Sequence, residues 1–268
     1  MAVTAGDLKD TQSEPDPRGV PIDRVGVRGL KFPVCLRDRS RGLQHTIATV
    51  SLAVDLPEHY KGTHMSRFLE VLQAHGPEID VATMRKLPAE LLKRLDARRA
   101  HVEFTFPYFM TKQAPATGAA GLMDYEVTFD LEATAGRGDF VLTVRVPVGT
   151  LCPCSKAISA RGAHNQRGEV RFSVRFHESM WIEDLIRMVE KCASCELYSV
   201  LKRPDEKEVT ERAYDNPVFV EDVVRNVAVL ARADENIRWF RVEAENFESI
   251  HNHNAFAMVE WPHRDPED

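Results

Sequence analysis

The densest concentration of reactive side chains runs from Gly149 to Arg167: Gly-Thr-Leu-Cys-Pro-Cys-Ser-Lys-Ala-Ile-Ser-Ala-Arg-Gly-Ala-His-Asn-Gln-Arg. Two thiols (Cys152 and Cys154), the His164 imidazole and the bases Lys156, Arg161 and Arg167 fall in this one passage. Thiolate and imidazole are natural ligands of a transition metal. Sulfur and nitrogen donors suit zinc, and an added carboxylate widens the choice toward iron or manganese. Metal at Cys154 would hold that sulfur deprotonated. A single Cys or His is more often packed or hydrogen-bonded than ligating. Their joint presence in such polar company favours a reacting centre. Pro153 stiffens the backbone between the thiols, and Gly162 permits a tight return toward His164.

A second cluster spans Glu243 to His253, with Glu243, Glu245, Glu248, His251 and His253. On an extended segment His251 and His253 face one side and can share a site, although polar residues suit a solvated turn equally well. Other candidates are weaker. Cys192 and Cys195 could join Cys152 and Cys154 in a four-thiolate zinc site, but Cys192 extends the apolar stripe of a helix, which favours core packing. The His64-Met-Ser-Arg67 segment opens a helix, a place suited to phosphate, although capping by Ser66 explains most of it. Glu206 and Glu221 flank the second helical region, and nothing around them marks them as functional.

Those groups need a scaffold. Period-two alternation at Val102–Phe106, Tyr125–Leu131, Phe140–Val146 and Val170–Phe176 predicts half-buried strands. Further strands are expected at 46–54, 238–245 and 255–261. Helical spacing appears from Met65 to Leu72, in a stretch at 78–97 interrupted by Pro88, and from Ile182 to Val189 and Val220 to Leu230. The order is strands, two helices, strands, and then the same series again. This weak structural repeat indicates an α+β fold of antiparallel sheets, each with a helix pair. Residues 1–24 read as a flexible tail, 25–147 as a first module and 148–268 as a second module carrying most of the chemistry. No Gly-rich turn joins a strand to a helix, which argues against a Rossmann or P-loop site.

The net charge of −6 argues against a general nucleic-acid binder, and no apolar run is long enough to span a membrane. An odd count of 5 cysteines without disulfide-scaffold spacing, behind an N-terminus without a secretory signal, points to the cytoplasm.

The Cys-Pro-Cys-Ser-Lys segment at 152–156, followed by Gly-Ala-His-Asn-Gln-Arg at 162–167, resembles the type IB GTP cyclohydrolases. His-Met-Ser-Arg-Phe at 64–68 and Glu-Ser-Ile-His-Asn-His-Asn-Ala at 248–255 fit the same family. The resemblance covers essentially everything after the tail. It implies a tunnelling fold: tandem modules assembled as a homotetrameric barrel with active sites at subunit interfaces. Cys154, His164 and Glu206 match the metal ligands for one divalent ion per subunit, which could be Mn, Fe, Zn or Mg. Glu248 and His251 match residues at the reacting end of the substrate, and Glu221 the carboxylate that anchors the guanine. Lys156, Arg161, Arg167 and Arg67 are the candidates for the triphosphate. The implied reaction opens the guanine ring of GTP at C8, releases formate and gives 7,8-dihydroneopterin triphosphate. Two alternatives remain at this point: an archaeal-type cyclohydrolase giving a cyclic phosphate product, and a non-catalytic structural zinc protein.

Overall fold

The computed structural model describes residues 10–12, 14–40 and 42–262. In chain order they form β1 (Ile22–Asp38), β2 (Gly42–Leu56), α1 (Met65–His75), β3 (Glu78–Ile79), α2 (Val81–Met84), α3 (Lys86–Leu95), β4 (Arg99–Gln113), β5 (Ala120–Thr134), β6 (Arg137–Leu151), α4 (Pro153–Ile158), β7 (Asn165–Phe176), α5 (Ile182–Glu190), β8 (Cys195–Glu196), α6 (Arg203–Asp215), α7 (Val220–Ala233), β9 (Ile237–Asn246) and β10 (Ala255–Trp261). Two compact units result. One comprises the described residues up to Phe106 together with Phe129–Phe140, and the other Pro107–Thr128 together with the described residues from Val141 onward.

In the first unit β1 and β2 form a long antiparallel hairpin, and β2 pairs with β4. Alternate residues Val50, Leu52 and Val54 of β2 and Val102, Phe104 and Phe106 of β4 are buried. The Phe106 and Phe129 rings meet edge to face, 5.1 Å between centroids. Phe68 and Leu72 of α1 and Leu87 and Leu91 of α3 complete this core. Pro88, expected to interrupt a helix, stands in the first turn of α3, where its missing N–H would have had no partner.

The second unit orders its strands β10-β9-β7-β6, with β5 and β4 beyond and β8 beside β6. Val144 and Val146, then Val170, Phe172 and Val174, then Phe240 and Val242 line one buried face. Against it lie Leu185, Ile186 and Val189 of α5 and Val223, Val227 and Ala231 of α7. The opposite face is charged: Arg145 donates to Glu126 (2.8 Å) and Glu169 (3.0 Å). One packed and one solvated face is the ordinary condition of an antiparallel sheet.

Strands run across both expected boundaries, 24/25 and 147/148. The module boundary at 147/148 falls inside β6, because Pro147 to Leu151 continue to pair with β7. Strand β1 already begins at Ile22. Gln12 and Glu14 carbonyls accept from Gly62 N and Lys61 N, both at 3.1 Å, so part of the expected tail is tied to the 59–62 turn. Residues 1–9 of that tail lie outside the described residues. Among the described residues no helix is long and apolar enough to cross a membrane.

The second unit also buries charge. Lys112 on β4 has a side chain only 8% exposed, set between Glu190 Oε1 at 2.7 Å and Glu196. The Tyr125 hydroxyl donates to the same Glu190 oxygen at 2.7 Å. Burial pushes the Glu190 carboxyl upward, opposed by Lys112 and Tyr125. Removing one partner of a buried pair strands the other charge. Lys112→Ala is therefore expected to lower unfolding free energy by about 3–5 kcal/mol at neutral pH. In urea titrations the deficit should shrink as pH falls, because a protonated Glu190 no longer buries an unpaired charge. A deficit independent of pH would place the loss elsewhere.

Candidate active site and metal centre

Strands β6 and β7 pair without a break from Leu142↔Val174 to Leu151↔Asn165. The chain then leaves the sheet at Cys152 and re-enters after His164. Cys152 N donates to His164 O at 3.1 Å, closing the excursion at its base. What the sequence suggested as a loop contains a short helix, α4. Pro153 opens it, and Cys152 Sγ caps it by accepting from Ser155 N at 3.4 Å. Cys154 thus sits in the first turn of α4 with its side chain exposed. Gly162, at φ 110°, makes the return turn in a conformation that side-chain-bearing residues rarely adopt.

The His164 ring is held from behind. Its Nδ1 lies 3.0 Å from Gln166 Oε1, and Gln166 Nε2 donates to Thr150 Oγ1 at 3.0 Å. Ser155 Oγ accepts from His164 N at 3.2 Å. A proton on Nδ1, donated to Gln166, leaves the Nε2 lone pair directed outward. Ligating histidines are oriented in this way. The donor chemistry therefore suits a divalent ion: an exposed thiol on a short helix and an imidazole whose Nδ1 is hydrogen-bonded from behind.

The second cluster arrives through the sheet. β9 pairs with β7 as far as Asn246↔Gly168, and Phe247 N donates to Arg167 O at 2.9 Å. The chain then passes His164, where Ser249 Oγ lies 3.4 Å from Nδ1. Glu248 is half-buried there and His251 exposed. The His251 and His253 rings stack, 5.1 Å between centroids and 17° between planes.

The remaining candidates are distributed more widely. Lys156 Nζ donates to the Tyr214 carbonyl and lies 4.2 Å from the centre of the Tyr214 ring, tying α4 to the end of α6. Arg161 and Arg167 are exposed on either side of His164. Glu221, in the first turn of α7, is exposed, while its neighbour Asp222 caps that helix through Phe219 N at 3.0 Å. Arg67 belongs to α1 in the first unit. Glu206 is exposed in the first turn of α6, eight positions before Tyr214 or about 12 Å along the axis at 1.5 Å per residue. Among the described residues of a single chain, no three His, Cys, Asp or Glu side chains are gathered closely enough to hold a metal ion. The four-thiolate zinc arrangement is overturned by the same geometry. Cys192 is 3% exposed, its thiol donates to Met188 O at 3.2 Å, and burial pushes its pKa up to about 11.

Sequence reasoning missed the supporting residues. Gln166 follows His164 by two positions on an extended strand, so shared orientation was available as a signal. Ser249 had none, since it approaches His164 only through strand pairing. Asp205 also went unnoticed. Burial works to raise its carboxyl, but bonds donated by Lys202 N, the Thr117 hydroxyl and the Thr117 and Ala116 amides prevail and hold its pKa at about 2.

A family described as Type I GTP cyclohydrolase folE2 matches residues 8–257. The chain is similar to the GTP cyclohydrolase FolE2 of Akkermansia muciniphila, 64% identical over 95% of this chain and 97% of that protein. It is similar also to the GTP cyclohydrolase FolE2 of Magnetococcus marinus, 53% identical over 96% and 97%. Among solved structures, uricase from Arthrobacter globiformis aligns with a TM-score of 0.55 at 9% identity, covering 91% of this chain and 95% of that one. Urate oxidase from Bacillus sp. TB-90 gives 0.53 at 7% identity, covering 89% and 99%. At such identity the likeness is one of fold: an α+β tunnelling-type chain with a large antiparallel sheet.

The Gln166 contact has a direct test. Gln166→Leu keeps the volume but removes the Nδ1 partner, and loss of such a partner costs about 10- to 100-fold in metal affinity. Calorimetric titration of the metal-free protein with Zn²⁺ should show that loss with little change in thermal midpoint. Unchanged affinity would mean that Gln166 does not orient the ring.

Proposed function

This chain belongs to the type I GTP cyclohydrolase FolE2 family and is a GTP cyclohydrolase, and we propose that its reaction runs where His164 meets the 247–251 segment. The single observation that supports this placement is the approach of Ser249 to the His164 ring. It joins two reactive passages more than eighty positions apart in sequence.

In this proposal Cys154, His164 and Glu206 hold one divalent ion, with the ligand set completed when subunits assemble. Such an ion supplies Lewis acidity and eases deprotonation of water near neutral pH. The protein's own groups do the rest. Glu221, exposed in the first turn of α7, accepts two hydrogen bonds from adjacent N–H donors on the guanine edge and so fixes which carbon faces the centre. Lys156, Arg161, Arg167 and Arg67 neutralise the triphosphate, Lys156 after releasing the Tyr214 carbonyl. Glu248 and His251 move protons as the imidazole ring of the base opens at C8. Carbon 8 leaves as formate, and the ribose carbons reclose into the pterin ring of 7,8-dihydroneopterin triphosphate. A homotetramer is part of the proposal. β10 ends the strand order, with Phe256 65% and Met258 46% exposed, and an apolar edge strand invites another chain. A nucleotide substrate and free thiols are both suited to the cytoplasm.

Formate release from GTP by the metal-loaded protein tests the reaction, and retention of all three phosphates in the product separates it from a cyclic phosphate former. Cys154→Ala is expected to abolish turnover with the fold intact, whereas Cys152→Ala, which loses only the cap of α4, retains most of it. Equal losses would sink the distinction between the two sulfurs. Glu221→Gln places an amide NH₂ against a guanine donor. It is expected to weaken GTP binding roughly 30- to 700-fold, about 2–4 kcal/mol, with the metal content unchanged. An emptied metal site in that variant would instead make Glu221 a ligand.

A further inference from the structure

Helix α6 has an unusual problem of placement. Apart from Ala213 it buries only one side chain, Asp205; Val209 is half-buried between them, and most of the remaining surface is charged and solvated. Ion pairs Lys207–Glu211 (2.6 Å) and Arg212–Glu208 (2.6 Å) run along it. No apolar stripe therefore sets its rotation or its axial position, as one does for α5 and α7. Polar tethers at the two ends replace it. At the C-terminal end Lys156 meets the Tyr214 carbonyl, and Asn216 Nδ2 donates to Ala193 O at 2.9 Å.

At the N-terminal end the whole tether is Asp205, 0% exposed. Its Oδ1 accepts from Ala116 N at 2.9 Å and Thr117 N at 2.8 Å, and its Oδ2 from Thr117 Oγ1 and Lys202 N, both at 2.8 Å. The first three donors belong to the turn between β4 and β5, which is itself closed by Ala114 N to Ala119 O and Gly118 N to Ala114 O, both at 2.9 Å. The fourth is the backbone of the residue that precedes α6. One carboxylate thus bolts the first turn of α6 to a rigid hairpin. Glu206 is the next residue, and its own amide donates to Lys202 O at 2.9 Å.

We infer that Asp205 is a positioning residue for Glu206, and that the β4–β5 turn, through Ala116 and Thr117, sets how well this chain binds its metal ion. The inference rests on the proposal that Glu206 is a ligand. A carboxylate on a helix free to rotate or slide would lose the preorganisation that a metal site requires, and outer partners of this kind are worth about 10- to 100-fold in affinity.

Co²⁺ titration of the metal-free full-length protein, followed by the visible absorption of the bound ion, provides the test. Asp205→Asn keeps one oxygen for the hairpin amides but turns an NH₂ on Lys202 N. Thr117→Val removes the hydroxyl donor and leaves every backbone bond, so it guards against misfolding of the first variant. Both should weaken Co²⁺ binding, Asp205→Asn by about ten-fold or more and Thr117→Val by less. Asp80→Ala, which deletes the 2.7 Å cap on Thr83 N in the first unit, should lower the thermal midpoint without changing Co²⁺ affinity. Glu206→Gln separates the two levels. If it weakens binding while Asp205→Asn and Thr117→Val do not, positioning by Asp205 is refuted and the ligand set stands. If it too leaves affinity unchanged, Glu206 is no ligand and both ideas fall.

Discussion

The rung between Cys152 N and His164 O fixes where the chain leaves the sheet and where it returns. Above it the chain makes an excursion that exposes a thiol on one side and an imidazole on the other. Below it β6 and β7 pair continuously, with their buried side chains packed on α5 and α7. The base of the excursion is therefore set by a sheet and not by a loop. Strand pairing fixes positions along and across the sheet to within a side-chain rotamer, whereas an open loop of the same length would sample many arrangements. The N-terminal turn of α4 and the Gly162 turn are means of leaving and re-entering the sheet at one rung.

The segment between α5 and α6 has almost no regular structure beyond the two residues of β8. Cys192 and Ala193 are buried in it, and polar clamps add to their hold. Ser194, 1% exposed, accepts from Leu151 N at 3.0 Å, Glu196 meets Lys112, and Asp205 closes on the β4–β5 turn. Gly149 belongs to this set because a Cβ there would stand 2.6 Å from Cys195 Sγ, so β8 can approach β6 only where a side chain is missing. The clamps differ in kind. Asp205 is satisfied by neutral donors and stays ionised, while Glu190 depends on a buried cation and is pushed toward protonation.

Much of this was legible in the sequence for a physical reason. Half-buried strands and amphipathic helices write their burial into an apolar period, so β4 to β7, α1, α5 and α7 could be read directly. The chemistry of Cys154 and His164 was legible because reactive side chains were concentrated between two such strands. Helix α6 was not, since a helix tethered by a carboxylate and exposed elsewhere carries no apolar period. The α4 turn was hidden by its length, and its cap is a sulfur, outside the usual capping residues. The meeting of Ser249 with His164 lay beyond reach, because it depends on the β7–β9 register, and pairing partners are not encoded locally. Glu206 and Glu221 were marked only by family resemblance.

Strands β4, β5 and β6 each contribute residues to both compact units, so the polypeptide leaves the first unit after Phe106, returns to it once and leaves it again after Phe140. No single cut of the chain releases either unit whole. During synthesis the first unit cannot be completed when Phe106 appears, because it still lacks Phe129–Phe140. At 5–20 residues per second the ribosome needs about 2–7 s to supply them. For that interval the β4 edge that β5 will cover is open to other nascent chains, a period in which a holdase chaperone would have its greatest effect on yield.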